Sequence, residues 1–242
     1  MFAIFKREIT SFFTTATGPL ALVLFLLVNG LFLWVFKGPY NVFDYGFAEL
    51  SAFFMLAPYI FLILIPGLSM KSFSEEMKLG TLELLLMRPL SPWALVLGKF
   101  LGIFILGIMA LIPTTIYVWS ISALGTEAGN FDFGLVMGSY FGMLLLLIAY
   151  TSIGIFTSTL SENQIVAFLL AILLSLFAYL GFESIAALIT NGSLSLFIEN
   201  FGMKAHYERI GRGIIDSRDV VYFISISIFF AYLTLTRLKQ RH

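Results

Sequence analysis

Six stretches of the chain contain no Asp, Glu, Lys, Arg or His: residues 19–36, 51–70, 100–121, 135–160, 164–182 and 220–236. At about 1.5 Å per helical residue, each can cross most or all of a hydrocarbon layer about 30 Å thick. Lipid offers no water to backbone N–H and C=O groups, so a run of this kind must close its own hydrogen bonds as a helix. The expected fold is an all-α integral membrane protein with six transmembrane helices. Charged residues are only 12% of the sequence, against about 25% in a soluble domain. Zero net charge gives no sign of a nucleic-acid partner. With two His and no Cys, the chain has little material for a metal site and none for a disulfide.

Before the first span, Phe2, Phe5, Ile9, Phe12 and Phe13 share a helical face, with Lys6, Arg7 and Glu8 elsewhere. This suits an amphipathic helix lying in the membrane interface. The apolar run that follows is too long, and lacks the small-residue cleavage pattern, for a removable signal. Pro58, Pro66 and Pro113 fall inside spans, where proline bends a helix and frees a carbonyl. In span four, Gly134, Gly138 and Gly142 repeat every four residues, a spacing that lets helices approach closely in lipid. This fits internal packing, a subunit interface or a translocation path. A tight polar turn, 161–164, joins spans four and five. The long loop 183–219 holds apolar pieces at 185–189 and 194–201, too short to span and expected to be interfacial or re-entrant. His206, near Glu208 and Arg209, reads as a surface residue there.

The most patterned polar segment is 71–99, KSFSEEMKLGTLELLLMRPLSPWALVLGK. Ser72 and Glu75 have the spacing of a capping box. Gly80 can take the left-handed conformation that ends a helix, and Thr81 can cap the next. Pro89 stops that second helix, and Ser91-Pro92 starts a third. Leu82, Leu85 and Leu86 group on one face; Glu75, Glu76, Lys78, Glu83 and Arg88 supply the wet one. Adjacent Glu75 and Glu76 point about 100° apart on a helix, which suits a solvated or partner-facing role rather than acid–base catalysis.

Lys and Arg set the orientation. The N-terminus, the 71–99 segment and the tail hold nine of them; residue 37 and the last loop hold five. Both termini and the 71–99 segment are therefore expected in the cytoplasm. No ionisable group lies inside a span by these boundaries, which argues against a proton relay or charge-ring channel. The sequence has no G-x-x-x-x-G-K-[ST] loop, so the chain is not expected to bind ATP through a P-loop.

At Glu75-Glu76-Met77-Lys78-Leu79-Gly80-Thr81-Leu82-Glu83, Arg88-Pro89-Leu90-Ser91 and Leu97-Gly98-Lys99 the chain resembles the ABC-2 type transporter permeases. Residues 29–36, 44–46 and 212–223 are most similar to the permease associated with gliding motility in Bacteroidetes, and the permease for nitrous oxide reductase maturation is a near alternative. The resemblance implies one ABC-2 type transmembrane domain over 1–242 in a bacterial inner membrane. It implies no enzyme activity and no cofactor in this chain, with ATP and magnesium on cytoplasmic ATPase partners. It also implies a second permease subunit, identical or a longer paralogue. The ATPase-coupling interface carried over is Glu75, Glu76, Lys78, Gly80, Thr81, Glu83 and Arg88, with Ser161 and Asn163 as a smaller contact. The prolines would absorb bending. A lone secondary transporter and a non-transporting motility scaffold remain the competing functions, and the substrate is not legible.

Overall fold

The computed structural model describes residues 1–15, 17–45, 49–87, 91–124 and 132–240. Every regular element among them is helical. Five helices are long and apolar enough to cross a membrane, and a sixth span is reached if the bent pair at the N-terminus counts as one.

That pair is α1 (Phe2–Thr14) and α2 (Thr17–Trp34). A short helix, α3 (Val42–Tyr45), follows. Next comes α4 (Ser51–Ser69), then α5 (Lys71–Lys78). Met70 between them is itself helical and its N–H donates to the Pro66 carbonyl, so the two run on as a single helix from Ser51 to Lys78. The capping box expected at Ser72 does not form. No helix begins there, because nothing breaks the backbone between span two and the polar segment.

Gly80 does take positive φ, +66°. The amides of Gly80 and Thr81 donate back to the carbonyls of Met77 and Glu76, closing the end of α5. Thr81 makes no side-chain cap for α6 (Leu82–Leu86); its hydroxyl donates to the Glu76 carbonyl instead. Pro89 and Arg88 lie outside the described residues.

Ser91-Pro92 starts α7 (Pro92–Leu111) as its chemistry predicts: Ser91 is extended and its Oγ accepts from the Ala94 amide. The third span thus begins eight residues before Phe100, and Lys99 lies two turns inside it. Pro113 falls in a 3₁₀ turn, Ile112–Thr114, before α8 (Thr115–Leu124). Pro58 and Pro66, by contrast, lie within unbroken helix.

The centre of the bundle is α9 (Phe133–Ser158), which packs against α4, α7 and α10 (Gln164–Leu176). Beyond α10, a π-helical turn at Phe177–Gly181 runs into α11 (Phe182–Ala186), making one span of Gln164–Ala186. Ile185 therefore belongs to span five and not to a separate loop helix. The loop itself contains α12 (Gly192–Glu199), which buries none of its residues, and α13 (Met203–Gly211), which packs on α9. The last span, α14 (Ser217–Lys239), also lies along α9.

Candidate functional site

Helix α1 does not merely float at the interface; it docks on α7. A Cβ at Gly98 would come 3.0 Å from Ile4, and one at Gly102 would come 2.8 Å from the Glu8 Cβ. The two glycines, one turn apart, make a groove that brings the α1 backbone close enough for Glu8 to turn inward. Glu8 is therefore on the packed face, contrary to its expected place with the wet residues.

Opposite Glu8 lies Lys99, 1% exposed. Its Nζ donates to Glu8 Oε1 at 3.0 Å, to Glu76 Oε1 at 2.9 Å and to the Ser72 carbonyl at 2.5 Å. The ammonium also lies 4.9 Å from the centre of the Phe73 ring. Arg7 pairs with the same Glu76 oxygen and with Glu8. Two cations and two carboxylates thus balance one another. Burying any one alone would cost several kcal/mol, roughly, and the cost is offset only because every charge has a partner. The cluster fastens three elements at one point: α1, the α4–α5 helix and α7.

This geometry corrects the reading of Glu76. It is 8% exposed and its carboxylate faces Lys99, so it presents no charge to a partner. Lys99 is correspondingly a buried ionisable group inside a span-length helix, which the sequence boundaries had excluded. Neighbouring Glu75, Lys78, Gly80 and Glu83 are exposed and Thr81 is half-buried. Around them Leu79, Leu84 and Met87 are exposed by 66%, 63% and 75%. The result is an apolar tip with a charged rim, braced from behind. Leu82 is buried, with Leu85 and Leu86 half-buried, and α6 folds back on α5. Arg88 falls outside the described residues.

The turn before α10 lies at the same end, since α5 packs against both α9 and α10. Asn163 is exposed and caps α10 through the Ile165 amide, and the Ser161 Oγ accepts from the Asn163 amide. These bonds shape the turn and start α10.

At the opposite end the three glycines of α9 do different things. A Cβ at Gly138 would lie 2.9 Å from the Ile210 carbonyl oxygen, and one at Gly142 would press on Ile210 and Tyr207. Both let α13 lie against α9 within the chain. Gly134 meets only the Asp132 side chain.

His206 is not a surface residue. It is 7% exposed and stacks on Tyr222 at 3.8 Å between ring centres. Its Nε2–H donates to the Asn200 carbonyl at 2.8 Å. Its Nδ1 lies 2.5 Å from Asp219 Oδ1, and the Arg209 guanidinium donates to that same oxygen at 2.8 Å. Asp219, 1% exposed at the start of α14, was not singled out by sequence reasoning, because its partners lie ten and thirteen residues away.

Beside this cluster a cavity of about 420 Å³ is lined by Tyr40, Tyr59, Tyr179, Tyr207, Lys204 and Glu208 among others. Burial pushes the Tyr207 phenol up, and its hydroxyl donates to the Phe54 carbonyl at 2.7 Å. Burial works to lower the Lys204 ammonium, but the Glu183 carboxylate at 2.7 Å, helped by Glu208, outweighs it and holds Lys204 above its ordinary value. The chamber combines aromatic walls with fixed charges. Among the described residues its lining holds no nucleophile–base pair.

With this arrangement in view, the comparison with known families is informative. The family described as ABC-2 family transporter protein matches residues 2–236. The chain belongs to the ABC-2 transporter family. No curated protein matches the sequence. The match covers nearly the whole chain, so this permease is a multi-pass membrane protein and a transmembrane subunit of an ABC transporter, not itself catalytic. Membership implies association with ABC ATPase subunits and with the bilayer.

Proposed function

We propose that this permease couples ATP hydrolysis on a separate subunit to export across a bacterial inner membrane. In this reading the ATPase seats on the tip formed by α5 and α6. The observation that carries it is the exposed Leu79, Leu84 and Met87, set among Glu75, Lys78 and Glu83, on an α6 turn folded back against α5, which itself runs without a break into span two. An apolar centre with a charged rim is the anatomy of a protein interface. A push on the tip would pass along the continuous Ser51–Lys78 helix and, through Glu76 and Lys99, into span three. The 161–163 turn at the same end provides the second, smaller contact. The Lys and Arg distribution supports cytoplasmic termini. The resemblance at residues 29–36 and 212–223 supports a role in gliding motility alongside a second permease.

The test is co-purification of the ATPase with tip variants. Leu84→Arg combined with Met87→Arg should abolish capture while membrane insertion and yield stay normal, since both side chains are largely exposed. Glu83→Lys with Lys78→Glu should weaken capture in a salt-dependent way. Undiminished capture by the double arginine variant would remove the interface from this surface.

A further inference from the structure

A cavity of about 540 Å³ opens between α1, α2, the α4–α5 helix and α7, beside the ion cluster. Its lining changes character with depth. Along the α4–α5 helix it passes from Glu75 and Lys71 to Leu68, and along α7 from Lys99 to Ile103 and Leu106. On α1 and α2, Arg7 gives way to Phe12 and Ala21. A chamber that is ionic at its mouth and apolar toward the bundle matches a lipid, not a free ion.

The charges at the mouth define the headgroup. Lys71 and Glu75 are one helical turn apart on α5, where side chains come within reach of each other. Yet they make no ion pair with each other or with any other described residue. Arg7, the third group at the mouth, keeps half of its side chain exposed after pairing with Glu76. The mouth therefore offers cations for a phosphate and, one turn away, a carboxylate for an ammonium. Arg7, Lys99 and Lys71 balance Glu8, Glu76 and Glu75 across the whole site, so a purely anionic headgroup gains the cations but meets Glu75. A quaternary ammonium cannot donate hydrogen bonds to that carboxylate.

We propose that this cavity binds a phospholipid of the phosphoethanolamine class. The phosphate lies against Lys71 and Arg7, the primary ammonium against Glu75, and an acyl chain against Phe12, Ala21 and Leu68. The lipid fills the angle between the interfacial helix and the spans, so its occupancy stiffens the base on which the α5–α6 tip stands. The assignment does not depend on what docks at the tip.

The experiment reconstitutes the permease into vesicles of equal parts phosphatidylethanolamine, phosphatidylcholine and phosphatidylglycerol with matched acyl chains. The protein is then extracted in mild detergent, and its retained lipids are counted by native mass spectrometry. Phosphatidylethanolamine should exceed each of the others about fivefold, the discrimination that one surface-level ion pair can supply. Lys71→Ala, which removes an unpaired side chain, and Ala21→Phe, which fills the apolar end, should each erase that excess. Equal retention of the three lipids by the wild-type protein would mean annular lipid only and would overturn the proposal. So would a preference for phosphatidylglycerol, or an excess unchanged by Lys71→Ala. Should Ala21→Phe fail to assemble, the headgroup comparison and Lys71→Ala still decide.

Discussion

Replacing Lys99 by Met tests whether the ion cluster holds the permease together. Methionine keeps the unbranched apolar stem of lysine and is one atom shorter, so most of the packing is preserved while the charge is lost. Glu8 and Glu76 would then share Arg7 alone, and the Ser72 carbonyl would lose its donor. Removing one member of a buried pair costs about 3–5 kcal/mol. Arg7 is half-exposed and the Glu8 side chain 18% exposed, so solvent softens the loss and the low end, about 3 kcal/mol, applies. For a chain of this size that is a fall of about 6–12 °C in the unfolding midpoint. The assay is thermal unfolding of the detergent-solubilised protein followed by circular dichroism. Adding Glu76→Gln to Lys99→Met should recover at least half of the loss, because the surplus carboxylate is removed and Arg7 and Glu8 remain as a balanced pair. A single variant that melts within about 2 °C of wild type, or a double variant no better than the single, would refute the reasoning.

Two further outcomes follow from the far end of the bundle. Gly138→Val should lower the midpoint by several degrees, because its Cβ would meet the Ile210 backbone carbonyl, which cannot swing aside; an overpacked contact of this kind costs about 1–3 kcal/mol. Gly134→Val, whose Cβ would meet only the Asp132 side chain, which can give way, is the control and should cost less. In this cysteine-free chain, Ser193→Cys on exposed α12 should react with a membrane-impermeant maleimide added to intact cells, and Lys78→Cys only after permeabilisation; the reverse pattern would invert the proposed orientation.

The spans were legible because apolar runs need no knowledge of their neighbours. A residue facing lipid and one facing the bundle are both apolar, so span-length hydrophobicity marks the element whichever way it turns. Local punctuation was legible for the same reason: Ser91-Pro92 and Gly80 act within a few residues of themselves. The failures have one cause. Lys99 was read as the edge of a span because a lone cation is expensive in lipid, and its partners Glu8 and Glu76 lie 91 and 23 residues away. Glu76 was assigned to the wet face by its neighbours in sequence, while the α4–α5 helix running unbroken through Met70 turns it inward. His206 looked exposed because Asp219 lies thirteen residues further along the same loop and Tyr222 was counted with the next span. Charges that pair across elements cannot be found by periodicity, and these were the residues that organise both ends of the bundle.

The fastening of three helices at one carboxylate has a consequence for where this permease can flex. Glu76 receives both Arg7 and Lys99, so any shear between α1, α5 and α7 at that level would break several ionic contacts together. The base consequently moves as a block, and deformation is displaced to the weaker rungs further along the spans. Among the described residues these include the 3₁₀ turn at Ile112–Thr114, in the span that carries Lys99, where Pro113 has no amide to give, and the π-helical turn at Phe177–Gly181 in the neighbouring span five. A displacement begun at the base would thus travel along α7 as far as Leu111 before it reaches the first such break.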